Sequence, residues 1–143
     1  MDLVNRINEV VDYTEKNLPK EIDTGKISQI MNCPYPVFQQ LFEQAAGIPM
    51  EEYIRQRKFT KAACDILNSN EQIMNIALKY GYESTDTFTT AFNELHGVSP
   101  SAVRKPEINL KLYSRLRFGL SINCEQYNCE QEAEKQGVVT TLK

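Results

Sequence analysis

Residues 27–49 and 76–100 carry one pattern twice, and this repeat limits the fold more than any other feature of the chain. Ile27 and Ile76 each stand five residues before a turn residue, Asn32 and Gly81, and each turn residue is followed by an apolar one, Cys33 or Tyr82. With one extra residue allowed in the second turn, Phe38 and Phe42 match Phe88 and Phe92, and Gly47-Ile48-Pro49 matches Gly97-Val98-Ser99-Pro100. Phenylalanines four apart lie on one helix face, so both pairs are expected in a core. Glycine and asparagine tolerate the left-handed conformation that ends a helix sharply.

Each copy therefore reads as helix, tight turn, helix, stop. Two helices crossing steeply through a short turn form the helix-turn-helix motif, whose second helix can enter a DNA major groove. Pro49 to Leu67 reads as the joining helix, with Tyr53, Ile54, Ala62, Ala63, Ile66 and Leu67 facing inward. About 18 helical residues span roughly 27 Å, and with the motif bodies added this approaches the roughly 34 Å between successive major-groove turns on one DNA face. A purely structural all-helical core would explain the phenylalanines but not the recurrence of the whole motif, stops included.

An N-terminal helix is expected from the stripe Leu3, Ile7, Val10, Thr14 and Leu18, flanked by Val4 and Val11, with Asp2 as cap and Pro19 as terminator. Ser69 and Gln72 have capping-box spacing for the helix after the linker. Catalytic material is sparse: His96 is the only histidine, and beside Gly97 it suits a helix C-terminus rather than acid/base work. Cys33, Cys64, Cys124 and Cys129 show no metal-ligand pattern. The N-terminus has neither the basic start nor the apolar run of a secretory signal, and no stretch approaches a membrane span. The simplest reading is a cytoplasmic protein with reduced thiols, no enzyme, no cofactor and no metal.

The segment NIALKYGYESTDTFTTAFNELHGVSPSAVR, residues 75–104, resembles the signature of AraC/XylS-type transcription regulators. The shared elements are an Ile-Ala helix, a Gly-aromatic turn, a Phe-x-x-x-Phe recognition helix and a Gly-x-x-Pro followed by arginine. YIRQRKFTKAACDIL is similar to that family's joining helix, and the likeness runs from about Ile7 to Arg104. It implies an all-α, homeodomain-like bihelical domain over residues 1–105, with two helix-turn-helix subdomains on a long linker helix. Carried over, the DNA-facing residues would be Tyr35, Pro36, Gln39 and Gln40 in the first recognition helix and Thr85, Asp86, Thr89 and Thr90 in the second. Glutamine suits adenine, and threonine offers a hydroxyl to base edges and a methyl to thymine. Lys79, Arg104 and Lys105 are candidates for phosphate contacts, whereas Arg57 reads as a structural arginine of the linker.

Two features depart from that pattern. Relatives commonly place arginine where Gln40 and Thr90 stand, and residues 1–105 hold 11 Lys/Arg against 14 Asp/Glu, a net of −3. Since phosphate binding rests on displaced counterions, binding would lean on helix N-terminal amides. After Pro106 the texture changes: Leu116, Phe118, Leu120 and Ile122 alternate with Arg115, Arg117, Gly119 and Ser121 as in a half-buried strand, and Val138 to Leu142 is a second candidate. NLKLYSRLRFGLSI resembles the opening strand of a gyrase-inhibitor-like effector-binding domain, so residues 106–143 read as a C-terminal extension with one or two strands, the incomplete start of such a domain, in which a small-molecule effector is not expected.

The expected partners are double-stranded DNA and RNA polymerase, without a membrane. The expected activity is transcription regulation through two docked recognition helices. The alternative is a degenerate helix-turn-helix domain serving as a protein-interaction module.

Overall fold

The computed structural model describes residues 2–105, 110–119 and 122–124. Within them six α-helices run in chain order: α1 (Leu3–Lys16), α2 (Thr24–Met31), α3 (Tyr35–Ala46), α4 (Met50–Asn68), α5 (Ile73–Lys79) and α6 (Thr85–His96). A 3-10 turn, Ser101–Arg104, and a two-stranded antiparallel hairpin, β1 (Leu116–Phe118) and β2 (Ile122–Cys124), follow. The all-helical architecture with two helix-turn-helix motifs and a long linker helix is the one expected from the repeat. The chain forms two compact units, divided within α4 between Arg57 and Lys58.

In the first unit α1 starts where Asp2 accepts a hydrogen bond from the Asn5 amide at 2.8 Å. Ile7, Val10, Val11 and Thr14 turn inward. Leu3 and Val4 do not join them and stay exposed, because the first turn of α1 extends past the core. Leu18 is buried although α1 has already ended at Lys16, ahead of Pro19. The core centres on Phe42, whose ring lies 5.7 Å from Phe38, 5.6 Å from Tyr53 and 6.1 Å from Phe118. Burying each such ring contributes roughly 1.5–3 kcal/mol.

Arg57 is buried beside these rings. Its Nε and Nη2 donate to the two carboxylate oxygens of Glu15 at 2.8 and 2.7 Å. This makes it the structural arginine that the sequence suggested. Tyr53 donates to the same carboxylate at 3.4 Å and accepts from the Leu116 amide at 3.2 Å. Burial, and then Glu15, push the Tyr53 phenol well above its ordinary pKa.

The hairpin belongs to this unit. Asn8 on α1 donates to the Phe118 carbonyl at 2.7 Å and accepts from its amide at 2.8 Å, pairing with β1 as a neighbouring strand would. Residues 115–122, expected as one strand, split into two that pair Leu116 with Cys124 and Phe118 with Ile122. The break falls after Phe118, at Gly119, which strands tolerate poorly. The candidate strand Val138 to Leu142 lies outside the described residues.

The second unit is built around Phe59 of α4, which meets Phe88 at 5.7 Å, Phe92 at 6.1 Å and Tyr82 at 5.6 Å. At seven residues α5 is too short to persist alone, and it is held by burial of Ile76 and Ala77. The expected capping box does not form: Ser69 turns back to the Asp65 carbonyl at 2.6 Å, and Gln72 caps α5 without a side-chain bond. His96 is buried with its ring 4.4 Å from Phe92, and its Nδ1 is 2.6 Å from the Lys111 carbonyl oxygen. That places it in the core rather than merely at a helix end. Leu110 is buried here, and Thr60 accepts from the Tyr113 amide at 3.0 Å. Cys33 is a free thiol.

Candidate nucleic-acid interface

The two motifs agree in detail at the level of the backbone. Helix α2 ends on Asn32 in the left-handed region at φ +57°, and the turn after α5 holds Gly81 at φ +89°. In both turns an amide closes back over five residues, Cys33 to the Ser28 carbonyl at 3.3 Å and Tyr82 to that of Ala77 at 2.9 Å. This is the wide bond of a helix stop with a left-handed residue. Helices α3 and α6 both have 12 residues and end on glycines at φ +82° and +80°.

Side-chain exposure repeats as well. From residue 34 to 45 and from 84 to 95 the succession of buried, half-buried and exposed positions is identical. Phe38 and Phe42, like Phe88 and Phe92, anchor one face, which leaves the other to solvent. On α3 the outward residues are Pro36 and Gln40, flanked by half-buried Tyr35 and Gln39; on α6 they are Asp86 and Thr90, flanked by Thr85 and Thr89. Of the eight residues singled out from the sequence, Pro36, Gln40, Asp86 and Thr90 are thus exposed and the other four half-buried, with Tyr35 packed against the core beside Phe38. Val37, 44% exposed, and its counterpart Thr87 belong to the same faces and were missed. An apolar residue inside a helical stripe passes for core, although the core period through Phe38 and Phe42 excludes Val37.

Local hydrogen bonds constrain these faces differently. Ser84 caps α6, accepting from the Thr87 amide at 3.2 Å, and Asp86 in the first turn complements the helix dipole. The Thr90 hydroxyl donates to the Asp86 carbonyl at 3.0 Å, which leaves its methyl and an oxygen lone pair outward. Pro34 gives α3 no side-chain cap. Instead, Gln39 Nε2 donates to Glu51 Oε1 at 2.5 Å, and the Tyr35 hydroxyl reaches the same oxygen at 3.5 Å. Burial first, then the Glu51 charge, raise the Tyr35 phenol pKa.

The three candidate phosphate ligands stand in unlike settings. Lys79 is ion-paired with Asp65 at 2.8 Å. Arg104 donates to the carbonyls of Ile66 at 3.0 Å, Ser69 at 3.1 Å and Glu71 at 2.5 Å, closing the exposed end of α4. Lys105 is exposed and has no ion-pair partner among the described residues. Among those residues no group of three or more His, Cys, Asp or Glu side chains could hold a metal ion, and no helix is long and apolar enough to cross a membrane.

The family model of the helix-turn-helix domain matches residues 27–106. Among curated proteins, the HTH-type transcriptional activator AarP of Providencia stuartii is 34% identical over 98 residues, which is 68% of this chain and 73% of AarP. The multiple antibiotic resistance protein MarA of Escherichia coli is 33% identical over 98 residues, 68% of this chain and 77% of MarA. The chain belongs to the AraC-type helix-turn-helix family. Its fold recurs in an AraC-type transcriptional regulator from Chromobacterium violaceum, with a TM-score of 0.64 at 20% identity over 70% of this chain and 89% of that one. It recurs again in the DNA-binding domain of AdpA, solved in complex with a target DNA, with a TM-score of 0.61 at 19% identity over 73% and 91%. The names of AarP and of the Chromobacterium violaceum protein describe transcription regulators.

Proposed function

We propose that this protein is a sequence-specific DNA-binding transcription regulator that places α3 and α6 in adjacent major-groove segments. The observation that carries the reading is the duplicated recognition helix, with the same length, the same glycine stop and the same exposure at 12 successive positions. Family membership supports it, as does the fold shared with the AdpA domain.

In this reading Tyr35, Pro36, Gln39 and Gln40 read one segment and Thr85, Asp86, Thr89 and Thr90 the other, while Lys105 touches phosphate. Lys79 and Arg104 first serve the fold, and only the outer N–H groups of Arg104 and the Lys79 ammonium remain as secondary phosphate contacts. DNA contact is assigned to residues 1–105, with residues 106–143 as an extension related to the start of an effector-binding domain. Output follows from touching RNA polymerase or excluding it.

Selection from a random duplex pool at several salt concentrations tests this. One enriched sequence is expected, with log affinity falling against log salt by about 0.9 per phosphate neutralised. A pool left unenriched even at low salt overturns the regulator reading in favour of a protein-interaction module.

A further inference from the structure

Glu51 stands in the first turn of α4 and points its carboxylate at α3 rather than at a cation. Its neighbour Glu52 pairs with Arg55 at 3.2 Å, whereas the described residues give Glu51 no cationic partner. Its bonds go to Gln39 at 2.5 Å and to the Tyr35 hydroxyl at 3.5 Å. Gln40 and Glu43 line the same shallow depression between α3 and the start of α4.

A primary amide has two N–H donors and one carbonyl acceptor, and a carboxylate can only accept. The Gln39 nitrogen must therefore face Glu51, since the flipped amide would set oxygen against oxygen. One N–H is spent on that charge-assisted bond. The other N–H and the carbonyl remain as a donor and acceptor pair, the complement of adenine N7 and N6 amino group. The second oxygen of Glu51 adds an acceptor and a negative charge at the same edge. It attracts the amino groups of adenine or cytosine and repels guanine O6 and N7, thymine O4 and phosphate.

We propose that Glu51 is a specificity-determining residue: it locks the Gln39 amide so that α3 selects a base presenting an amino group in the major groove and rejects guanine. This rests on the DNA-binding reading given above.

The experiment is the random-duplex selection repeated with Glu51→Gln, Gln39→Leu and Glu52→Gln, each checked for helix content by circular dichroism. Wild type should enrich adenine or cytosine over guanine at one position of the α3 half-site. Glu51→Gln and Gln39→Leu should each lose about 5- to 150-fold discrimination at that same position, the range of one good base contact. Glu52→Gln removes the same charge one residue away and should keep the preference. Equal affinity changes in Glu51→Gln and Glu52→Gln with base preferences untouched would overturn the proposal, and so would guanine enriched by wild type at that position. Should Glu51→Gln fail to fold, Gln39→Leu decides alone, since preservation of the preference in it refutes the lock. No enrichment by wild type brings down the DNA-binding reading itself, a separate outcome.

Discussion

Replacing Glu15 by alanine takes a bidentate carboxylate away from a buried guanidinium. In the Arg57–Glu15 pair the side chains are 2% and 8% exposed, and the two N–H to oxygen bonds measure 2.7 and 2.8 Å. The Tyr53 hydroxyl loses an acceptor in the same step. Removing one partner of a buried pair costs roughly 3–5 kcal/mol, because the carboxylate that offsets the desolvated charge is gone. Set against a total of about 5–15 kcal/mol for a typical domain, this removes much of the stability. At about 4–8 °C per kcal/mol for units of this size, Glu15→Ala should lower Tm by at least about 12 °C. Urea unfolding followed by circular dichroism measures the free energy directly. Glu15→Leu combined with Arg57→Met, which replaces both charges by apolar groups, should be more stable than Glu15→Leu alone. A loss under about 1 kcal/mol in Glu15→Ala, the range of an exposed pair, would refute the buried placement of Arg57.

Three further outcomes are expected. Phe92→Ala, which vacates a site packed by Phe59, Phe88 and His96, should cost roughly 3–5 kcal/mol in the same assay; unchanged thermal stability would remove Phe92 from the core. Arg104→Ala should destabilise by about 1–3 kcal/mol through three carbonyls that lose a charged donor and should lower the salt slope of DNA binding less than Lys105→Ala, which should lower it by about one with stability unchanged. Thr89→Ala with Thr90→Ala should alter base preference at the α6 half-site while stability stays within about 0.5 kcal/mol.

The repeat made most of the helical fold legible, because its signals are local and steric. Phenylalanines at four-residue spacing have one way to face a core, and Gly47 and Gly97 occupy left-handed positions where other residues are strained. What pattern could not supply was long-range pairing. Asn8 as a substitute strand for Phe118 joins residues 110 apart in sequence, and no local rule relates them. The Ser69 capping box failed because α5 starts only after Gln72, and the Ser69 oxygen accepts from the Glu71 amide instead. For the candidate interface, the family resemblance supplied the positions but not the partners of their polar atoms. Lys79 is ion-paired with Asp65, 14 residues earlier, a partner that no helical spacing marks. Glu51 has no sequence signal of its own, since acidic residues at a helix start are common and Glu52 stands beside it; only its distance to Gln39 gives it a role.

The central claim, that α3 and α6 each contact their own stretch of DNA, is tested most directly by hydroxyl-radical footprinting on the enriched duplex with wild type, Gln40→Ala and Thr90→Ala. Two protected segments about 10 base pairs apart on one face are expected, with Gln40→Ala weakening one and Thr90→Ala the other. A single protected segment, or both variants weakening the same one, would contradict it.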